Sequence, residues 1–393
     1  MSWKVLVVLA ALLGGAEQAD AADAYISAEF TPDVRDPSSR SFTNTTPWSG
    51  LCSHPVHNAS CVARNIFGID TNIRGTKYTT YGTLRGAYYF GMPAERNLLV
   101  TGDDGVQHQL LVRINGMGFR YEAFNGSSGS RVMNGCTVVL TNYGAGNPSA
   151  MRLFQRNDDA VGSAACSSGW VNRDGEKNIE ELDVVYELVA PNPLEMSAGV
   201  YAGSTTYTIG GAGMDIDLGD GVSLDASELT LHFTLKVNHY FDVRFPPGSH
   251  RAVLSPLGGW TQWTEQGRAP TALAQEVPFS LSSSSLFGVT IRCQYPLPDG
   301  RCGIRSGTAG AADVPLDLRL TIPGAHDRTL GRSVVDYPLT TNMAAPLFDP
   351  QGYIYERPSR LGIRVDGAPL AEMLRHPGSR YAGDVTVIFD VDL

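Results

Sequence analysis

Four stretches of this chain alternate apolar and polar residues with a period of two. They are Leu229, Leu231, Phe233, Leu235 and Val237; Leu316, Leu318, Leu320 and Ile322; Leu361, Ile363 and Val365; and Val385, Val387, Phe389, Val391 and Leu393. Successive side chains of a strand point to opposite faces, so each stretch specifies a strand with one buried face. Turn-forming clusters stand between them, at 125–129 (NGSSG), 246–249 (PPGS), 298–300 (PDG) and 323–324 (PG). Helical spacing is confined to 366–376 and 177–182, each with room for a turn or two. The fold class expected is all-β, built as sandwiches. With 42% hydrophobic and 18% charged residues the chain can fill a sizeable core, which excludes a disordered chain.

A length of 393 residues suggests two domains. The best boundary lies near Val237–His239, where one alternating strand ends and a second alternating segment, 240–245, begins. The stretch before it, 210–225, is rich in Gly and Asp and reads as a loop or hairpin.

Residues 1–21 place one cation, Lys4, before an apolar run from Val5 to Leu13, then small and polar residues ending Ala19-Asp20-Ala21. This is the pattern of a secretory signal with an A-x-A cleavage site. The apolar run is far shorter than the roughly 20 residues that cross a bilayer. Export makes disulfides permissible. The six cysteines, Cys52, Cys61, Cys136, Cys166, Cys293 and Cys302, fall into three sequential pairs. Six cysteines allow fifteen pairings, and sequence alone does not choose among them; sequential pairing is the simplest. The rival reading, a metal site built on close C-x-x-C or H-x-x-H groupings, is not expected.

The formal charge is −10, only four cations are lysines, and there is no basic run. Wholesale binding of a nucleic-acid backbone is therefore not expected. No G-x-S-x-G elbow and no H-E-x-x-H helix is present, and no catalytic residue, metal site or cofactor is assigned. Asp215, Asp217 and Asp220 superficially resemble a calcium loop, but the third carboxylate falls where that loop needs glycine, and position twelve holds no glutamate. A solvated acidic loop is the better reading. Residues 102–105 (GDDG) read as a hairpin turn. Glu180 and Glu181 are a carboxylate pair, but neighbours in sequence tend to point apart. Trp48, Trp170, Trp260 and Trp263 are flanked by loops and are either sugar-stacking rings or rings packed at a sandwich end.

The sequence ends in a strand with no polar tail. Such a strand is an aggregation hazard if its edge is exposed. It is either an internal strand of a closed sandwich or one that needs a partner strand beside it. At this point the chain resembles the tip adhesins, or pilus-biogenesis initiators, of colonization-factor and cable pili, of the alternate chaperone–usher class. Cys52 and Cys61 bracket a short loop as the first pair of that family does, and Cys136 and Cys166 match its second loop. The stretches 182–191 (LDVVYELVAP) and 197–201 (SAGVY) resemble segments before its last adhesin-domain strands. Residues 240–247 (YFDVRFPP) resemble the opening of its pilin domain. Residues 359–365 (SRLGIRV) and 381–389 (YAGDVTVIF) resemble its closing strands.

The resemblance implies two immunoglobulin-like β-sandwich domains in tandem behind the signal at 1–21: an adhesin domain over 22–237 and a pilin domain over 238–393, the second lacking one strand. A periplasmic pilus chaperone would supply that strand, then the major pilin subunit would replace it, with Val385, Val387, Phe389, Val391 and Leu393 along the pairing region. The protein would be a non-enzymatic minor tip subunit. It would be exported through the periplasm to the cell surface, begin assembly at the outer-membrane usher and bind a host glycan or glycoprotein. The arginines that serve receptor binding in the family are missing at 46–51 and at 208–211; Arg74, Arg120 and Arg173 do not match them, so no receptor residues carry over. The competing expectation is a secreted β-sandwich carbohydrate-active enzyme or soluble lectin.

Overall fold

The computed structural model describes residues 20–122, 135–142, 149–157, 162–167 and 174–391. Residues 1–19, the tryptophan at 170, the arginine at 173 and the terminal leucine at 393 lie outside these, and with them most of the signal segment. Strands dominate, and the protein is all-β. Among the described residues no helix is long and apolar enough to cross a membrane. The chain divides into two compact units. One holds residues up to Ala28 with Asn44–Pro191 and Val200–Leu235; the other holds Glu29–Thr43, Asn192–Gly199 and Lys236–Leu393. The second unit thus takes two short segments from upstream of the long strand that ends at Val237.

The spine of the first unit is an antiparallel pair, Gln107–Glu122 with Gly175–Val189, in register from Ile179↔Tyr121 to Val189↔Leu111 apart from two bulges. The other edge of Gly175–Val189 pairs with Gly75–Thr79 and Phe67–Asp70. Six consecutive residues, Glu181 to Tyr186, are buried. A strand covered on both faces loses its alternation. The inward positions leading into that run include the charged Lys177 and Glu181, so 177–182 shows no apolar alternation and reads as helical turns, yet folds as strand. The strand Ala226–Val237 behaves as its alternation requires: Leu229, Leu231, Phe233, Leu235 and Val237 are all buried. It pairs with Asp20–Phe30, where Ala24, Ile26, Ala28 and Phe30 are buried in turn. The turn at 102–105 joins Arg96–Gly102 to Gln107–Glu122, with Gly105 at φ +80° and the Gly102 N–H donating to the Val106 carbonyl at 2.9 Å.

A helix, Pro55–Ala63, was not expected from the apolar pattern. Among its described side chains the buried ones are His57 and Cys61, one turn apart on one face. Neither residue type registers as hydrophobic periodicity.

The second unit packs two main sheets on one core. One runs Phe241–Arg244, Ala272–Ser283, Ile354–Asp366, Asp317–Thr321 and Tyr337–Pro338. The other runs His326–Asp327, Leu347–Asp349, Phe287–Cys293 and Val385–Asp390. Phe279, Leu281, Leu318, Leu320 and Leu361 from the first meet Phe287, Val289, Ile291 and Phe348 from the second. The helix Gly367–Leu374 falls within the 366–376 segment and buries Leu370.

The cysteines pair as Cys52–Cys61, Cys136–Cys166 and Cys293–Cys302, with Cα atoms 5.2–5.8 Å apart, and none is free. The second bridge spans 30 residues. Closing a loop of that length restricts the unfolded chain by about 4 kcal/mol in the chain-entropy description. The double substitution Cys136→Ser with Cys166→Ser is expected to lower the stability of the oxidised protein by roughly 2–4 kcal/mol, read from denaturant midpoints. Thiol titration of the unfolded, unreduced parent should find close to none.

Candidate functional site

The C-terminal strand Val385–Asp390 pairs with Phe287–Cys293 along one edge only, from Val385↔Cys293 to Asp390↔Gly288. Among the described residues no strand pairs with its other edge. The strand Phe241–Arg244 stands likewise at the end of its own sheet, paired among the described residues only with Ala272–Ser283. The two open edges belong to facing sheets. Aromatic rings bridge the space between them: Phe389 lies 6.2 Å from Phe241 and 5.8 Å from Phe279, centroid to centroid. Phe245 lies 5.3 Å from Phe279 and is half exposed.

Apart from Ile363, the inward residues of the other three alternating stretches are buried; along this seam none is. Val385, Val387 and Phe389 touch the core but are only partly buried, as are Phe241 and Val243 opposite them. An apolar face left half open beside a sheet edge with no neighbouring strand is a surface that an added strand could cover. Val391 lies beyond the end of the strand and is exposed. Of the five residues expected to line the pairing region, three therefore stand on the seam, one beyond it, and the terminal leucine is outside the described residues.

The residues that could carry other chemistry are engaged. Arg120 sits 3.4 Å from Glu180 and 3.2 Å from Glu181, so one cation holds both carboxylates. Arg74 makes a two-point ion pair with Asp70 at 2.7 and 2.9 Å. The acidic segment at 215–220 is not a freely solvated loop. Asp217 accepts both terminal nitrogens of Arg85 at 2.8 and 2.9 Å, and Asp220 takes Arg85 Nε at 3.0 Å. Lys77 Nζ reaches into the same segment and donates to the carbonyls of Leu218 and Asp220 at 2.6 and 3.0 Å. Burial pushes the Lys77 ammonium down to about 8, against the opposing pull of Asp220 and Asp217.

Contrary to the expectation that no H-x-x-H grouping is present, His54 and His57 form one, with His54 just before the helix Pro55–Ala63 and His57 in its first turn. Their rings are 6.5 Å apart, and both nearby cysteines are tied in a disulfide. Among the described residues no group of three His, Cys, Asp or Glu converges as metal ligands do. Trp48 stacks on Phe67 at 6.3 Å, and Trp260 and Trp263 are exposed at the short helix Thr261–Thr264.

No family model matches the chain, and no curated protein matches it. Several solved structures are similar over most of its length, among them the following. A chain of a chaperone–tip adhesin complex of CFA/I fimbriae biogenesis is 12% identical, covering 95% of this chain and 97% of that one, with a TM-score of 0.27. CfaE, the adhesive subunit of CFA/I fimbria of enterotoxigenic Escherichia coli, is 11% identical over 94% and 92% of the two chains, with a TM-score of 0.26. A chain of the CsuC–CsuE chaperone–tip adhesion subunit pre-assembly complex from archaic chaperone–usher Csu pili of Acinetobacter baumannii is 8% identical over 95% and 98%, with a TM-score of 0.23. Superposition this loose carries no argument about what the chain does.

Proposed function

We propose that this protein is the minor tip subunit of a chaperone–usher pilus. In this reading residues 22–237 form the adhesin domain, and residues 238–393 form an immunoglobulin-like pilin domain that lacks one strand. A periplasmic chaperone supplies the strand first and the next pilin replaces it, so the subunit starts assembly at the outer-membrane usher. The protein is exported through the periplasm to the cell surface, is not an enzyme, and binds a host glycan or glycoprotein. The observation that carries the reading is the seam between Phe241–Arg244 and Val385–Asp390, with its two unpaired edges and half-buried valines and phenylalanines. An added strand would complete the ladder along Val385–Asp390 and cover Phe389, Phe241 and Val387 with alternate apolar side chains. The sequence resemblance reached through the cysteine loops and closing strands points the same way.

Co-expression with a cognate pilus chaperone is expected to yield a soluble one-to-one complex from the periplasm, with little soluble subunit in its absence. Deletion of residues 384–393 should abolish that complex. A chain that accumulates as a soluble monomer alone, and that still captures the chaperone after the deletion, would sink the assembly reading.

A further inference from the structure

The first unit carries an open cleft of about 600 Å³, lined among others by Tyr89, Gly91, Arg96, Ala165, Asp215 and Asp217. Three short strands form its floor. Tyr89–Met92 lies in the middle, with Ala164–Ser167 on one side and Ile216–Asp217 on the other, and both Ala165 and Asp217 are in register with Gly91. Period two places Tyr89 and Gly91 on one face, beside Ala165 and Asp217. Gly91 gives the floor its depth. A Cβ there would stand 2.9 Å from that of Asp217 and 3.6 Å from Cε1 of Tyr89, whose ring flanks the hollow.

The polar groups of the cleft are fixed in place. Asp217 is held by Arg85, whose guanidinium also lies 4.6 Å from the centre of the Tyr89 ring. Asp215 ion-pairs with Arg96 at 2.5 Å and accepts from the backbone N–H and hydroxyl of Thr208 at 2.9 and 3.0 Å. Arg96 in turn lies over Tyr207 at 4.2 Å. Glu95 is held by Arg113 at 2.8 Å. Beside Ala165, the Cys166 half of the Cys136–Cys166 bridge ties that wall down.

We propose that this cleft binds a neutral saccharide, an inference that names the ligand class for the adhesive half of the function proposed above. An aromatic ring beside a shallow hollow accommodates the carbon face of a sugar. Carboxylates and a guanidinium already locked by one another offer lone pairs and N–H groups to hydroxyls without further ordering cost. The volume lies within the range of small-ligand pockets, roughly 300–1,000 Å³. Every carboxylate on the wall is matched by an arginine, which leaves no surplus cation to select an acidic sugar. At the centre of the floor Gly91 is paired on both sides, with Ala165 and with Asp217, so a peptide has no free edge to extend at that point.

The test uses the full oxidised chain, probed with immobilised lactose-, N-acetyllactosamine- and mannose-terminated oligosaccharides and with sialylated forms of the first two. At least one neutral probe should bind. Tyr89→Ala should weaken it by about tenfold or more, the equivalent of 1.4 kcal/mol. Ala165 is exposed, so Ala165→Trp fills the cleft without entering the core and should weaken binding as much with the unfolding midpoint unchanged. The double substitution Trp260→Ala with Trp263→Ala should leave binding at the parental level. Binding by sialylated probes alone, binding by no probe, or cleft variants that bind like the parent would each overturn the proposal. Chaperone capture separates the two readings. Lost sugar binding with intact capture overturns the cleft alone, and lost capture with intact sugar binding overturns the assembly reading alone.

Discussion

Asp183→Asn is expected to stabilise the protein at pH 7 by about 4 kcal/mol and to leave its stability near pH 4 almost unchanged. Asp183 is completely buried. One of its oxygens accepts the Leu51 backbone N–H at 2.6 Å, and the other has no hydrogen-bond partner among the described residues. Burial pushes the carboxyl up to about 8 from an ordinary value of 3.8. Glu181 and Asp70 add to this, and the Leu51 N–H and Arg74 oppose it. Between about pH 4 and pH 8 the unfolded chain has given up this proton while the folded chain keeps it. Folding then takes up a proton, and stability falls by about 1.36 kcal/mol per pH unit over that window. Asparagine keeps an acceptor for Leu51 and cannot ionise. Urea unfolding of both proteins from pH 4 to pH 8 should show two curves that meet at the acid end and diverge steadily with rising pH. Parallel curves would mean that Asp183 is ionised in the folded protein and that its free oxygen has a partner.

The same residue marks where sequence reasoning stops. Leu229 to Val237 and Leu316 to Ile322 announce their strands, because a half-buried strand writes its period into the order of residues. Glu181 to Tyr186 does not, since both faces are covered and a buried Asp and Glu stand among the apolar residues. The helix Pro55–Ala63 hides for a related reason: among its described side chains those turned inward are a histidine and a disulfide cysteine. The acidic segment at 215–220 looks solvated because its arginine is more than 130 positions away, at Arg85. Pairings set by topology leave no local trace.

The seam and the cleft divide along the same line. That Val385, Val387 and Phe389 share one face is readable from alternation. That the neighbouring edge is open is not, because being an edge strand depends on which other strands arrive beside it. The cleft is less legible still. Gly91, Ala165 and Asp217 come from three separate segments, and a glycine or an alanine carries no chemical signal until the fold sets it opposite an ion pair.

Alternation also gives the seam its sharpest test, through substitutions one residue apart. Val387→Lys is expected to abolish capture of the partner strand, whereas Thr386→Lys should leave it near the parental level. Val387 packs partly against the core on the seam side, while Thr386 is exposed on the other face of the strand. A strand added beside Val385–Asp390 would cover Phe241, Val243, Val385, Val387 and Phe389. Completing the burial of half-covered side chains contributes on the order of 1 kcal/mol each, and each new backbone hydrogen bond about 1 kcal/mol more. A lysine at 387 removes its own share and forces an ammonium toward the Phe389 and Phe279 rings, which costs further unless it escapes to water. The loss of capture is therefore expected to exceed a hundredfold, about 2.7 kcal/mol. Both variants keep the strand exposed to solvent on one face, so the urea midpoint of each isolated chain reports whether folding survives. Equal loss of capture from both substitutions would mean that the partner reads the charge or the sequence of this segment rather than its inward face. Equal retention would mean that the partner docks elsewhere on the second unit.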